Sequence, residues 1–178
     1  MPLPLADSPL VFGSVGTDYH PFHRMIEWID SWLDDGGRLV ARAVIQSGTS
    51  KPSRRAESIS YLAFDDLQTY IRLATTLVSH GGPATVMDCC RLGIKPIVIP
   101  RLSRFGEHVD NHQVAFARMM ASQGLIEVAD TEEQFRSLVD RSLTDPTAFR
   151  QPVPIADLRE TVARFEKFVA ELIEPRHV

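Results

Sequence analysis

Cysteine is nearly absent from this 178-residue chain: the only two, Cys89 and Cys90, are adjacent. Neighbouring thiols in what reads as a helix suit neither a disulfide framework nor a metal-ligand spacing, so both are expected to be reduced packing residues. Long apolar runs are missing too. No stretch approaches the roughly 18–20 apolar residues needed to cross a bilayer, so no segment is expected to span a membrane. The first residues, Met-Pro-Leu-Pro-Leu-Ala-Asp, lack the basic start and apolar run of a secretion signal, which points to the cytoplasm. A cationic excess is also lacking. Nineteen Lys and Arg stand against 23 Asp and Glu, a net charge of -4, which argues against binding nucleic acid by phosphate neutralisation.

Several catalytic signatures are absent as well. Without a Walker lysine pattern or a Gly-x-Ser-x-Gly elbow, P-loop NTPases and α/β-hydrolases are disfavoured. The turn Gly13-Ser14-Val15-Gly16-Thr17 falls short of Gly-x-Gly-x-x-Gly, and no acidic residue ends the second strand to accept a ribose hydroxyl. That combination disfavours a nicotinamide dehydrogenase. No Asp-x-Asp triplet occurs, so neither a metal clamping a diphosphate nor any other cofactor is expected.

What is present is an alternation of short apolar, β-branched runs with longer amphipathic stretches, at a length suited to a single domain over 1–178. Strands are expected at 10–12, 39–45, 58–63, 76–79, 97–99 and 125–128. Helices are expected at 22–33, 65–74, 83–92, 110–122, 131–142 and 157–173. The pattern predicts an α/β fold, a single Rossmann-like domain with a doubly wound parallel sheet of about six strands. Ligands of such sheets bind beyond the carboxyl ends of the strands, at the topological switch point.

Three segments carry the candidate chemistry. His80-Gly81-Gly82-Pro83-Ala84-Thr85 joins a strand to a helix that carries Asp88. Pro83 fits the first helical position, and the free N-H groups of Ala84 and Thr85 would make an anion site. Asp88 lies about one turn beyond Thr85, where its carboxylate could accept from ribose hydroxyls; a tight turn with an exposed Asp is the plain alternative. Asp110-Asn111-His112-Gln113 has the spacing of a helix capping box, or could turn His112 and Gln113 toward sugar hydroxyls. Arg101 and Arg104 precede it, able to clamp a carboxylate or phosphate, or simply solvated. The third segment is the first turn, followed by His20 and His23.

Together these stretches resemble the C-terminal, donor-binding domain of MurG-type glycosyltransferases of the GT-B fold, with PssE-type subunits of exopolysaccharide synthesis the nearest kind. The resemblance runs from Leu10 to about Ile173. It implies that Gly16, Thr17, His80, Gly81, Gly82 and Thr85 bind a donor diphosphate, Asp88 the ribose and Phe64 the uracil. It further implies that Arg101, Arg104, Asp110, His112 and Gln113 meet the donor sugar. The family often has Glu where Asp88 stands, and Pro83 replaces a small residue.

The resemblance implies inverting transfer from a UDP-sugar, with UDP-glucuronate favoured through the two arginines. The acceptor would be a polyprenyl-diphosphate-linked glycan. His20 is the candidate base in this chain, although the base is expected on a partner. That membrane-anchored subunit would supply the acceptor site, recruit the chain to the inner face of the cytoplasmic membrane, and contact the helix at 157–173. The alternatives are a non-catalytic nucleotide-sugar-binding module and a UDP-sugar epimerase.

Overall fold

The computed structural model describes residues 8–152; the expected helix at 157–173, with its partner contact, lies outside them. The sheet has six parallel strands: β1 (Leu10–Ser14), β2 (Arg42–Gln46), β3 (Glu57–Ile59), β4 (Thr76–His80), β5 (Ile97–Ile99) and β6 (Glu127–Val128). Their order is β3-β2-β1-β4-β5-β6. The intervening helices are α1 (His23–Trp32), the single turn α2 (Arg38–Val40), α3 (Phe64–Leu73), α4 (Pro83–Arg91), α5 (His112–Ser122) and α6 (Glu132–Thr144). The doubly wound parallel sheet expected from the alternating pattern is therefore present.

The two faces of the sheet bury different residues of the same strands. Val11 of β1 and Ile97 and Ile99 of β5 pack with Met25, Ile26, Ile29, Phe135 and Val139, the apolar faces of α1 and α6. Leu10 and Phe12 point the other way, against Ile71 and Cys89 of α3 and α4, while Val98 meets Val86, Phe116, Ala117 and Met120 of α4 and α5. Burial on both faces explains why these strands read as continuous apolar runs rather than alternating ones. Each fully buried Ile or Phe contributes roughly 1.5–3 kcal/mol. Cys89 and Cys90 are free and buried in this packing, and burial pushes both thiols up.

Some boundaries differ from the expected ones. Strand β2 begins at Arg42, opposite Leu10 where β1 begins, so Leu39 and Val40 have no neighbour to pair with. They form the exposed turn α2 instead, 83% and 56% accessible. Gly36, at φ +112, ends the α1 segment before it. Strand β3 stops at Ile59. Helix α6 is capped by a side chain: Thr131 Oγ1 accepts from the Gln134 amide at 3.2 Å. No described helix is long and apolar enough to cross a membrane.

Strand order reverses between β1 and β4. Their carboxyl ends carry the first turn and the His80-Gly81-Gly82 turn, two of the three candidate segments.

Candidate functional site

The two turns are joined by one ring. His80 closes β4, and its imidazole lies between the glycines of both segments. A Cβ on Gly16 would fall 2.4 Å from His80 Cε1, and one on Gly82 would fall 2.1 Å from His80 Nε2. Gly81 is pinned separately, since a Cβ there would sit 3.0 Å from Gln113 Cβ. The glycines thus serve close packing of His80 and α5, a need that a ligand-centred reading of Gly-Gly misses. Nδ1 of His80 lies 3.4 Å from the Ser14 carbonyl oxygen. Burial, then the charge of Arg101, lowers the imidazole to about 4. It is neutral at physiological pH and cannot supply a cation to a diphosphate.

Beyond Gly82, α4 begins at Pro83 with no side-chain cap. First-turn amides have no intrahelical acceptor, so Ala84, which is exposed, and Thr85 keep N-H groups at the switch point. The dipole of α4 favours negative charge there.

Arg101, expected near the donor sugar, is wholly buried. Nη1 donates to the carbonyl oxygens of His20 and Glu107 at 2.6 and 2.7 Å, and Nη2 to that of Val15 at 2.7 Å. Nε has no partner. With its fork engaged by backbone, Arg101 cannot clamp a sugar carboxylate; it ties the β1-α1 loop to the β5-α5 loop. Glu107 locks the same junction. It accepts from Arg24 Nε and Nη2 at 2.8 and 2.7 Å and from the Leu102 amide at 2.8 Å. Arg104 is exposed, its guanidinium over the Phe105 ring at 4.8 Å.

A repeated local pattern builds the rim. Asp18 Oδ1 accepts from the His20 amide and meets His20 Nδ1, both at 2.7 Å. Asp110 Oδ1 likewise accepts from the His112 amide at 3.0 Å and contacts His112 Nδ1. Both are Asx turns, in which an Asp binds the backbone two residues on. His108 stands between them: its Nδ1 is 3.4 Å from Asp110 Oδ1 and its Nε2 3.8 Å from Asp18 Oδ2. Burial works to raise Asp18, yet the His20 hydrogen bonds and the Arg101 charge hold it below its ordinary value. Asp110 is held low first by the His112 amide.

The capping box expected of Asp110 and Gln113 does not form. Asn111 is the N-cap, and its Oδ1 accepts from the Ser103 amide and hydroxyl at 3.0 and 3.1 Å rather than from an α5 amide. Gln113 is buried and turns inward, its Oε1 3.4 Å from the Arg101 amide.

On the outer side of α4, Asp88 faces α3. Its carboxylate accepts from Gln68 Nε2 at 3.1 Å and pairs with Arg91 at 3.3 Å. These residues and the exposed Phe64 line a groove of about 510 Å³ between the two helices, within the usual range for small-molecule sites.

The structure therefore gathers Gly16, His80, Gly81, Gly82 and Thr85 at the switch point, with the exposed Thr17 beside them. His20, Asp110, His112 and Gln113 form or flank the rim, and Asp88 and Phe64 line the groove. Asp18, Arg24, Gln68 and Glu107 are additional members. Only Asp18 leaves a sequence signal, the Asp-x-His spacing that it shares with Asp110.

The sequence matches the glycosyltransferase family 28 C-terminal domain over residues 36–167. No protein of curated function matches it significantly. Among solved structures, the glycotransferase of kitacinnamycin is similar with a TM-score of 0.63 at 18% identity, covering 98% of this chain and 44% of that one. MurG of Acinetobacter baumannii gives 0.57 at 17%, covering 92% and 51%. ALG13 gives 0.58 at 17%, covering 94% of this chain and 98% of its own. The chain thus spans about half the length of the first two and nearly all of the third. At these identities the likeness shows the fold.

Proposed function

The chain belongs to the glycosyltransferase family 28 C-terminal domain family, and from that premise we propose that it is the donor-binding half of a UDP-sugar-dependent glycosyltransferase. The observation that carries this reading is the uncapped start of α4 at the switch point, one helix turn from Asp88 in the α3-α4 groove. The diphosphate lies on the Ala84 and Thr85 amides, the ribose reaches Asp88, and the uracil lies along Phe64. The sugar is directed toward His112 and Asp110, while Gln113, turned inward, supports the loop that carries them.

In the reaction, the acceptor oxygen bonds to the anomeric carbon from the face opposite the departing diphosphate. The bond from that carbon to the diphosphate oxygen breaks, and the configuration inverts. Negative charge grows on the leaving group, where preoriented amides and the α4 dipole stabilise it without reorganising. His80, being neutral, contributes by spacing the two turns. The acceptor proton goes to a base of the acceptor-binding partner; the candidate base in this chain is His20, through Nε2, since Asp18 occupies Nδ1. No metal is assigned to the diphosphate.

The acceptor-binding half comes from a membrane-anchored partner, and the acceptor is a polyprenyl-diphosphate-linked glycan of exopolysaccharide synthesis. The PssE-type likeness of the motifs supports both. UDP-glucuronate is the favoured donor, but Arg104 alone is left to meet its carboxylate.

Calorimetric titration of the folded chain with UDP, UDP-glucuronate and UDP-GlcNAc tests this reading. Binding of all three, tightest for UDP-glucuronate, is expected. A folded chain that binds no uridine nucleotide overturns it.

A further inference from the structure

We propose that His108, Asp110 and His112 form a binding site for a first-row transition-metal dication of the zinc type. One nitrogen from each imidazole and one carboxylate oxygen lie within 4.8 Å of one another. Ligands held at about 2.0–2.2 Å from a common ion lie roughly 3–4 Å apart, so small side-chain rotations close the set. The His108 and His112 rings meet edge to face with centroids 4.6 Å apart, and each places its Nδ1 against Asp110 Oδ1. All three side chains are reachable, at 14%, 57% and 41% exposure.

A second carboxylate already stands where metal sites place one. Asp18 Oδ2 lies 3.8 Å from His108 Nε2, on the far side of the ring from Asp110. Asp18 is itself fixed by the His20 amide and ring. A carboxylate behind a ligating histidine sets its tautomer and orientation and raises its basicity. The positive end of the α5 dipole opposes a cation here, and the charges of Asp110 and Asp18 offset it. Two imidazoles and one carboxylate select zinc, cobalt or nickel over magnesium or calcium, which prefer all-oxygen shells.

This ion is not a clamp for the diphosphate. Asp110 and His112 are residues that the proposed function directs toward the donor sugar, so metal and sugar compete for them; this consequence rests on that reading. The ion is then an antagonist of sugar engagement at the cleft rim.

Calorimetry of the chelator-stripped full chain with Zn²⁺ tests the site. One ion per chain is expected, with affinity at least tenfold weaker in His108→Ala and His112→Ala and unchanged in His23→Ala. Asp18→Asn should weaken it about tenfold. Absence of saturable binding, or binding indifferent to His108→Ala and His112→Ala, overturns the proposal. Because those variants could perturb the loop, Co²⁺ is added to the unaltered chain as well. A visible d–d band without thiolate charge transfer supports the site, and no band or a thiolate band overturns it.

Titrations of UDP and UDP-glucuronate with and without Zn²⁺ separate the two readings. Weakened UDP-glucuronate with unchanged UDP supports competition at the sugar, whereas equal weakening of UDP puts the ion on the diphosphate and overturns it. Zn²⁺ binding without any UDP binding keeps the metal site and removes the transferase reading; UDP binding without Zn²⁺ binding does the reverse.

Discussion

The imidazole of His80 occupies the space beside Gly16 so closely that a Cβ on that glycine would lie 2.4 Å from Cε1. The ring is the spacer between the turns after β1 and β4, and it sets how far apart they stand at the switch point. Arg101 performs the corresponding task one strand further along, between the loops after β1 and β5. The switch point is therefore shaped by two basic side chains turned into the protein, Arg101 and the neutral His80, with the first-turn amides of α4 and the rim histidines around them.

Gly82→Ala should test the spacer directly. The backbone at Gly82, φ -76, accepts alanine, so the cost is the 2.1 Å approach to His80 Nε2. Overpacking of that kind destabilises by about 1–3 kcal/mol. In a His80→Ala background the same substitution should cost little. Gly16→Ala should keep a residual cost of about 1–2 kcal/mol in that background, because φ +83 disfavours any side chain. Urea midpoints at constant slope measure all four differences, and equal costs with and without His80 would refute the clash.

Stability should fall as pH drops from about 6.5 to about 4. His80 titrates at about 4 in the folded chain against 6.5 ordinarily. Across that window the unfolded chain binds the extra proton and is favoured. The stability contribution is complete above 6.5 and is lost by about 4, some 3 kcal/mol in all. The lowered carboxyls Asp18 and Asp110, ordinarily at 3.8, and Glu127, ordinarily at 4.5, add their losses lower still. Denaturation midpoints across this range should show the slope in the unaltered chain and a flatter one in His80→Asn.

The parts of the site legible in sequence are those that rest on local backbone rules. Pro83 at the first helical position and Gly93 after α4 mark that helix from neighbours alone, and Gly93 indeed has φ +67. The start of β2 is not local. Leu39 and Val40 have strand-like residue types, but the strand begins only where Leu10 offers a partner. Arg101 is illegible for another reason. Its partners are carbonyl oxygens of Val15, His20 and Glu107, and a backbone acceptor leaves no residue type to recognise. Polar loop arginines therefore look alike in sequence, whether buried as Arg101 is or exposed as Arg104 is. The inward turn of Gln113 was masked by a capping-box spacing that Asn111 pre-empts.

Asp88→Ala should lower UDP affinity about 10- to 100-fold, as expected for a hydrogen bond to a charged group worth 1.5–3 kcal/mol. The loss should be much smaller for 2′-deoxy-UDP if the carboxylate reads the ribose hydroxyls. Gln68→Ala removes the neighbour that orients Asp88 at 3.1 Å and should give a smaller loss in the same direction. Calorimetry on each pair measures it. An Asp88→Ala chain with undiminished UDP binding would assign the groove to another ligand.

Arg101 and Arg104 should separate cleanly. Arg101→Met leaves three carbonyl oxygens, two of them in buried bonds, without this donor and removes a charge that faces Asp18 and Glu107. Each lost partner costs about 1–3 kcal/mol, so a loss of at least about 3 kcal/mol is expected, with UDP binding falling as the loops separate. Arg101→Lys should rescue little, because one ammonium cannot reproduce the fork that reaches Val15 on one nitrogen and His20 and Glu107 on the other. Arg104→Ala, at an exposed position, should change stability by no more than about 0.5 kcal/mol. Its effect should fall on donor choice, narrowing the preference for UDP-glucuronate over UDP-glucose. Urea denaturation and paired calorimetric titrations measure the two effects independently. A donor preference unmoved by Arg104→Ala would leave no arginine of this pair to read a carboxylate, since the fork of Arg101 is spent on the backbone.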